Sequence, residues 1–210
     1  MYRYELKYAI DYVNADAITA AILTHPASFS KAFPDRQVNN IYLDTLNFDC
    51  FHQNVDGNEH RSKMRLRWYG ESVSPTPIST LEIKHKKAEL GWKENFKVQS
   101  NNLNSNTALM EAVHAVRPSP SLLTPVLHNT YQRAYYLSSD EKFRVTIDTE
   151  QRFRIPFGVM TPLMTAQIPV ILELKYAAED AAHAREITNY MKFRQTKNSK
   201  YVTGVEALYL

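Results

Sequence analysis

The sequence predicts an α+β protein built on an antiparallel sheet. Two observations carry that reading. Charged and apolar residues alternate with period 2 in at least five separate segments, which puts the charges of each strand on one face. Helical spacing of apolar residues appears in three other places, between the strands and near the end of the chain.

The strands come first. Arg3, Glu5 and Lys7 alternate with Tyr4, Leu6 and Tyr8. Asn40-Ile41-Tyr42-Leu43-Asp44 is a second candidate. Arg61, Lys63, Arg65 and Arg67 share one face of a third, with Met64, Leu66 and Trp68 on the other. Glu82, Lys84 and Lys86 alternate with Leu81, Ile83 and His85, and Gly91–Lys97 is a further strand. Arg144, Thr146 and Asp148 alternate with Phe143, Val145 and Ile147, and Glu173 and Lys175 with Leu172, Leu174 and Tyr176. A helix follows a cap at Asn14, with Ala17, Ile18, Ala21 and Ile22 on one side. Leu109, Ala112, Val113 and Val116 mark a second helix, and Ala184, Ile187 and Met191 a third near 179–193. The Pro/Ser-rich segments 72–80 and 117–121 read as breaks.

A length of 210 residues bounds the chain to one domain, expected to span 1–210. One cysteine, Cys50, excludes a disulfide scaffold and a multi-cysteine metal site, and without a local base it reads as an inert thiol. Five glycines cannot assemble a phosphate loop or a dinucleotide fingerprint, and the zinc-helix and nucleophile-elbow motifs are missing. The N-terminus has no signal-peptide core and no stretch approaches a membrane span, so a cytoplasmic protein without direct membrane insertion is expected. A net charge of +3 is too small to imply a nucleic-acid tail. The alternation by itself fits either a sheet with its polar face in water or a barrel with a charged lumen. The second arrangement is costly unless a charged ligand fills it.

Eight segments in order resemble the VTC domain, the polyphosphate polymerase domain of vacuolar transporter chaperone complexes, including its stand-alone prokaryotic type, within the CYTH-like, triphosphate tunnel metalloenzyme superfamily. They are Arg3–Tyr8, Asn40–Thr45, Lys63–Gly70, Leu81–Lys84, Tyr131–Ala134, Arg144–Thr149, Leu172–Lys175 and Lys197–Val202. The resemblance implies an antiparallel β-barrel tunnel of about eight strands, with a charged lumen and bracing helices. It also implies triphosphate-type substrates gripped by Arg and Lys, with a divalent metal held by glutamate.

The residue chemistry is consistent with this. Arg65 and Arg67 point the same way, about 6.6–6.8 Å apart along a strand, and guanidinium forks suit phosphate oxygens. Arg65, Arg67, Lys84, Arg133 and Glu173 are the expected catalytic residues. Lys7, Lys93, Tyr131, Arg144, Lys197, Ser199 and Lys200 join Arg65, Arg67, Lys84 and Arg133 as the expected phosphate-binding set, the last three as a donor cluster or else a basic tail. Glu173 sits on an apolar strand, where a lone carboxylate is costly; it is the first metal-ligand candidate, Glu5 the second, with an internal ion pair as the other role for Glu173. Hard oxygen donors suit Mg²⁺ or Mn²⁺.

Hydrolytic tunnel enzymes often begin with ExExK, whereas this chain has Arg3-x-Glu5-x-Lys7. The departure favours transfer over hydrolysis. The expected reaction is therefore transfer of the terminal phosphate of ATP, or another nucleoside triphosphate, to polyphosphate or inorganic phosphate. A triphosphatase or cyclase on the same barrel, or a non-catalytic polyphosphate or nucleotide sensor, are the alternatives. No nucleic-acid partner is expected, because Glu5, Glu82 and Glu173 interrupt the basic faces. An unidentified protein partner is compatible with a single domain of this size.

Overall fold

The computed structural model describes residues 3–11, 14–72, 74–87, 90–118, 122–157 and 169–210, with the side chains of Arg3 and Leu90 outside that set. The predicted break at 117–121 and the loop at 72–80 therefore lie partly outside the described residues. The strands are β1 (Arg3–Ile10), β2 (Ser30–Asp44), β3 (His60–Tyr69), β4 (Ile78–Lys87), β5 (Leu90–Gln99), β6 (Thr124–Leu137), β7 (Arg144–Arg154) and β8 (Val170–Ala177). The helices are α1 (Ala15–Leu23), α2 (Asp49–Val55), α3 (Asn106–Val116), α4 (Ala181–Tyr190) and α5 (Lys200–Tyr209). No helix of the described residues is long and apolar enough to cross a membrane.

Hydrogen bonding orders the strands β1-β8-β7-β6-β2-β3-β4-β5. The paired registers in each unit are antiparallel. The α+β class and the eight-stranded antiparallel sheet are as expected. The order is linear, with β1 and β5 as its ends. A ladder between them, which ring closure of a barrel requires, is not among the pairings of the described residues.

The chain divides into two compact units. The first comprises residues 1–36, 131–151 and 167–198, and the second residues 37–130, 152–166 and 199–210. In the first, the apolar sides of β1, β8 and β7 stand in cross-strand rows such as Tyr8–Leu172–Ile147 and Leu6–Leu174–Val145. Ile18 and Ile22 of α1 and Ala184 and Ile187 of α4 pack on that side and complete its core. Helix α1 starts where expected, because the Asn14 side chain accepts from Asp16 N.

The second unit repeats the logic with its own core. Rows such as Ile41–Leu66–Leu81–Phe96 build one side of β2 to β5. Leu109 and Val113 of α3 cover it together with Leu103. Period 2 then fixes the opposite side of the strands in each unit as the charged one.

Two helices, most of β2 and the whole of β6 as a strand were not expected from the alternation. Helix α2 is seven residues long, too short for a periodic signal. Helix α5 begins inside the segment read as a donor cluster or basic tail; Ser199 is its cap, and Lys200, Tyr201, Gly204 and Val205 are its buried residues. Strand β2 starts ten residues before Asn40, across Pro34, in a stretch with almost no burial.

Candidate functional site

In the first unit, the charged rows are Glu5–Lys175–Arg144 and Lys7–Glu173–Thr146. Lys7 Nζ lies 3.2 Å from Glu5 Oε1 and 3.4 Å from Glu173 Oε1, and donates to Asn198 O at 3.0 Å. Lys175 Nζ lies 2.7 Å from Glu173 Oε2 and 3.8 Å from Glu5 Oε2. Arg133 donates both fork arms to Asp148, Nε to Oδ1 at 2.5 Å and Nη2 to Oδ2 at 2.6 Å, and reaches Glu173 at 3.7 Å. Its guanidinium carbon stands 5.2 Å from the centre of the Tyr131 ring.

Burial works against the charge on Lys7, yet Glu173 and Glu5 hold it above the ordinary lysine range. Burial opposes Arg133 in the same way, and Asp148 overrides it. Thr146 Oγ1, Arg144 Nε and Asn198 Oδ1 are buried there without a hydrogen-bond partner. Such groups are normally satisfied, so this face has donor and acceptor capacity to spare. Arg144 is half-buried and Lys197 exposed.

In the second unit, the charged rows are Asn40–Arg67–Thr80–Lys97, Tyr42–Arg65–Glu82–Asn95 and Lys63–Lys84–Lys93. Glu82 is the hub. Arg65 donates Nε and Nη2 to its Oε2 at 2.8 and 2.6 Å, Arg67 Nη1 lies 3.5 Å away, and Lys93 Nζ reaches Oε1 at 2.5 Å. Burial alone raises the pKa of such a group, but the three cations hold Glu82 well below the usual carboxylate range. Burial, with Arg65 and Arg67 alongside, pulls Lys93 below the ordinary lysine range against the pull of Glu82. Arg67 is also fixed by Asn40 Oδ1 at 2.9 Å, and Arg65 by Tyr42 OH at 3.2 Å. Lys84 is exposed, Lys200 buried. Ser199 accepts from Lys63 Nζ at 2.7 Å while capping α5.

The expected residues therefore fall into two groups. Lys7, Tyr131, Arg133, Arg144, Glu173 and Lys197 belong to the first unit. Arg65, Arg67, Lys84, Lys93, Ser199 and Lys200 belong to the second. Sequence reasoning missed Glu82, Asp148, Lys175 and Lys63 as site residues. Each stood in the same alternation, and what was missing was the register that pairs them. It also missed Asp44, fully buried, which accepts from the amides of Thr45, Cys50 and Phe51 and from the Tyr201 hydroxyl. Cys50 is the inert thiol expected: burial, then Asp44, push it up to about 12.

For a metal, the protein donors at hand are Glu5 and Glu173. Among the described residues no group of three or more His, Cys, Asp or Glu is arranged to hold an ion. Glu173 carries ion pairs with Lys7, Arg133 and Lys175, the other role that the sequence left for it. One or two carboxylates suit Mg²⁺ or Mn²⁺ where substrate oxygens and water complete the shell.

A family model described as the VTC domain matches residues 2–209. Vacuolar transporter chaperone complex subunit 2 of Schizosaccharomyces pombe is 30% identical over a match covering 52% of this chain and 18% of that protein, so the chain spans under a fifth of that relative's length. Among solved structures, a protein of Vibrio parahaemolyticus described as a candidate adenylate cyclase has a TM-score of 0.58 at 15% identity, covering 97% of this chain and 98% of its own. A candidate adenylyl cyclase of Hippeastrum, described as having a dominant triphosphatase activity, has a TM-score of 0.53 at 12% identity, covering 100% and 98%. At those identities the likeness is one of fold. The match over almost every residue, together with the order of charged strands, places this chain in the VTC domain family.

Proposed function

We propose that the chain is a polyphosphate polymerase-like phosphotransferase, moving the terminal phosphoryl group of a nucleoside triphosphate to a polyphosphate chain or to phosphate. The observation that carries the reading is the cation-rich face of the second unit, where Arg65, Arg67 and Lys93 converge on the single carboxylate Glu82 and Lys63, Lys84 and Lys93 stand in one row. Membership of the VTC family supports it. Residues 1–210 act as one domain in this reading, since β2, β6 and β7 each supply residues to both units.

In this proposal the guanidiniums of Arg65, Arg67 and Arg133 and the ammoniums of Lys7, Lys84 and Lys93 bind non-bridging phosphate oxygens. Arg144, Lys197, Ser199 and Lys200 extend the binding set, with Tyr131 supporting Arg133. Phosphoryl transfer depends chiefly on position and charge stabilisation, which such a set supplies. The acceptor oxygen is already anionic, so no residue has to remove a proton from it. Glu173, with Glu5, would hold Mg²⁺ or Mn²⁺, which neutralises charge on the transferred group.

The test is incubation with ATP, Mn²⁺ and a short polyphosphate primer, with ADP, free phosphate and polyphosphate measured separately. ADP should match phosphate entering longer chains, and Glu173→Gln should keep the fold and lose most metal-dependent turnover. Free phosphate equal to ADP would assign a triphosphatase, the reading favoured by the described activity of the Hippeastrum structure. Tight binding without turnover would leave a sensor.

A further inference from the structure

Asp44 ends β2 and is fully buried. A buried carboxylate is costly unless hydrogen bonds replace its water. This one accepts from neutral donors on both oxygens. Oδ1 takes Thr45 N at 2.8 Å and Cys50 N at 2.9 Å, and Oδ2 takes Phe51 N at 3.1 Å and the Tyr201 hydroxyl. Cys50 and Phe51 lie in the first turn of α2, where Phe48 at the cap position offers no side-chain bond. Asp44 stands in for that cap from the end of β2, so the amides account for its place at the start of α2. They do not account for its remaining donor, which comes from a residue 157 positions further along the chain.

Tyr201 is buried and is the second residue of α5. Burial, then its bond to Asp44, push its pKa up, so the hydroxyl stays protonated and remains a donor. Before it in the chain stand Ser199, held separately by Lys63 Nζ at 2.7 Å, and Lys200, itself buried. Across from it stands Tyr42, with ring centres 5.0 Å apart and planes at 31°. Tyr42 lies opposite Arg65 in the β2–β3 register and accepts from its Nη1 at 3.2 Å. A phenylalanine at 201 would fill the same space and keep the ring contact; only the hydroxyl ties the first turn of α5 to the end of β2. Asp44 and Tyr201 are both too buried to touch a bound phosphate. We infer that they are positioning residues, whose hydrogen bond fixes the first turn of α5 and with it the place of Lys200. This rests on the phosphotransferase reading above, in which Lys200 belongs to the phosphate-binding set.

The experiment is a double-mutant cycle of Tyr201→Phe and Lys200→Ala, read as tripolyphosphate affinity by calorimetry. Tyr201→Phe should weaken binding about fivefold, and the same change made in Lys200→Ala should cost less than about twofold, because no lysine is left to place. In turnover with ATP and a polyphosphate primer, both single variants should raise the same KM, with kcat within about twofold. A bond that only stabilises the fold would lower the melting temperature and move neither affinity nor KM. That result, additive losses around the cycle, or effects on different KM values each overturn the positioning role and leave phosphate binding standing. A wild-type chain that binds neither tripolyphosphate nor ATP overturns the phosphotransferase reading, and the positioning role falls with it. The calorimetric arm needs no turnover, so a chain that binds without reacting is tested equally well. Asp44→Asn, which replaces one acceptor oxygen by a donor, runs the same cycle from the other side of the bond if Tyr201→Phe does not fold.

Discussion

His128 is 1% exposed, and its Nδ1 accepts from Arg154 Nε at 2.6 Å while the ring lies against Trp68. Burial, then the Arg154 charge, push its pKa down to about 3 from an ordinary 6.5. The folded chain keeps this ring neutral while the unfolded chain protonates it. Its contribution is complete above pH 6.5 and is lost as pH falls from there toward 3. Glu82, also depressed, adds its own loss only below its ordinary 4.5. Between 6.5 and 4.5 the His128 effect is separate from that of Glu82, and is worth on the order of 2 kcal/mol. Denaturant titrations across that window should show His128→Gln with a flatter dependence on pH than the wild type; identical slopes would refute the account. The site was legible at this scale wherever one strand decided it. Arg65 and Arg67 share a face because successive side chains alternate, which is a property of the backbone. That Glu82 would receive Arg65, Arg67 and Lys93 depends on the registers of β3–β4 and β4–β5, and no local pattern encodes those.

Helix α5 shows the limit of pattern reading at the scale of an element. Lys197 and Lys200 drew attention as charges, while the signals of a helix were the Ser199 cap and the Tyr201–Val205 spacing. Gly204 explains why its apolar face is narrow. A methyl group there would meet Leu127 Cδ2 at 2.5 Å and Phe153 Cδ1 at 2.7 Å, so the helix backbone lies directly on β6 and β7. Gly204→Ala gains up to about 1 kcal/mol of helix propensity and loses about 1–3 kcal/mol to overpacking. The variant should be less stable in chemical denaturation, and a raised midpoint would contradict the close approach. Strands β3 to β5 were legible because each has a buried side and a charged side. The first half of β2 was not, because Ser30–Gln37 has no buried residue to alternate with.

On the scale of the whole molecule, an unliganded charged face is a reserve of unfavourable electrostatics that a polyanion relieves. Tripolyphosphate at 100 times its dissociation constant should stabilise the chain by about 2.7 kcal/mol, read as a rise in melting temperature that shrinks as salt is added. No shift with tripolyphosphate, pyrophosphate or ATP would remove the phosphate-binding assignment. Strand β1 has another consequence, in time rather than in energy. Its ladder partner is Val170–Ala177, and Lys7 and Ala9 also bond to Asn198 and Thr196, 191 and 187 residues away. The β3–β4–β5 hairpins, by contrast, close over short loops. During synthesis the second unit's hairpins can form while β1 still waits, with Tyr4, Leu6 and Tyr8 unpaired, for the last fifth of the chain. Strand β1 is thus made well before its partner and is among the last to find its place, and a nascent-chain chaperone would have to shield it longer than the hairpins.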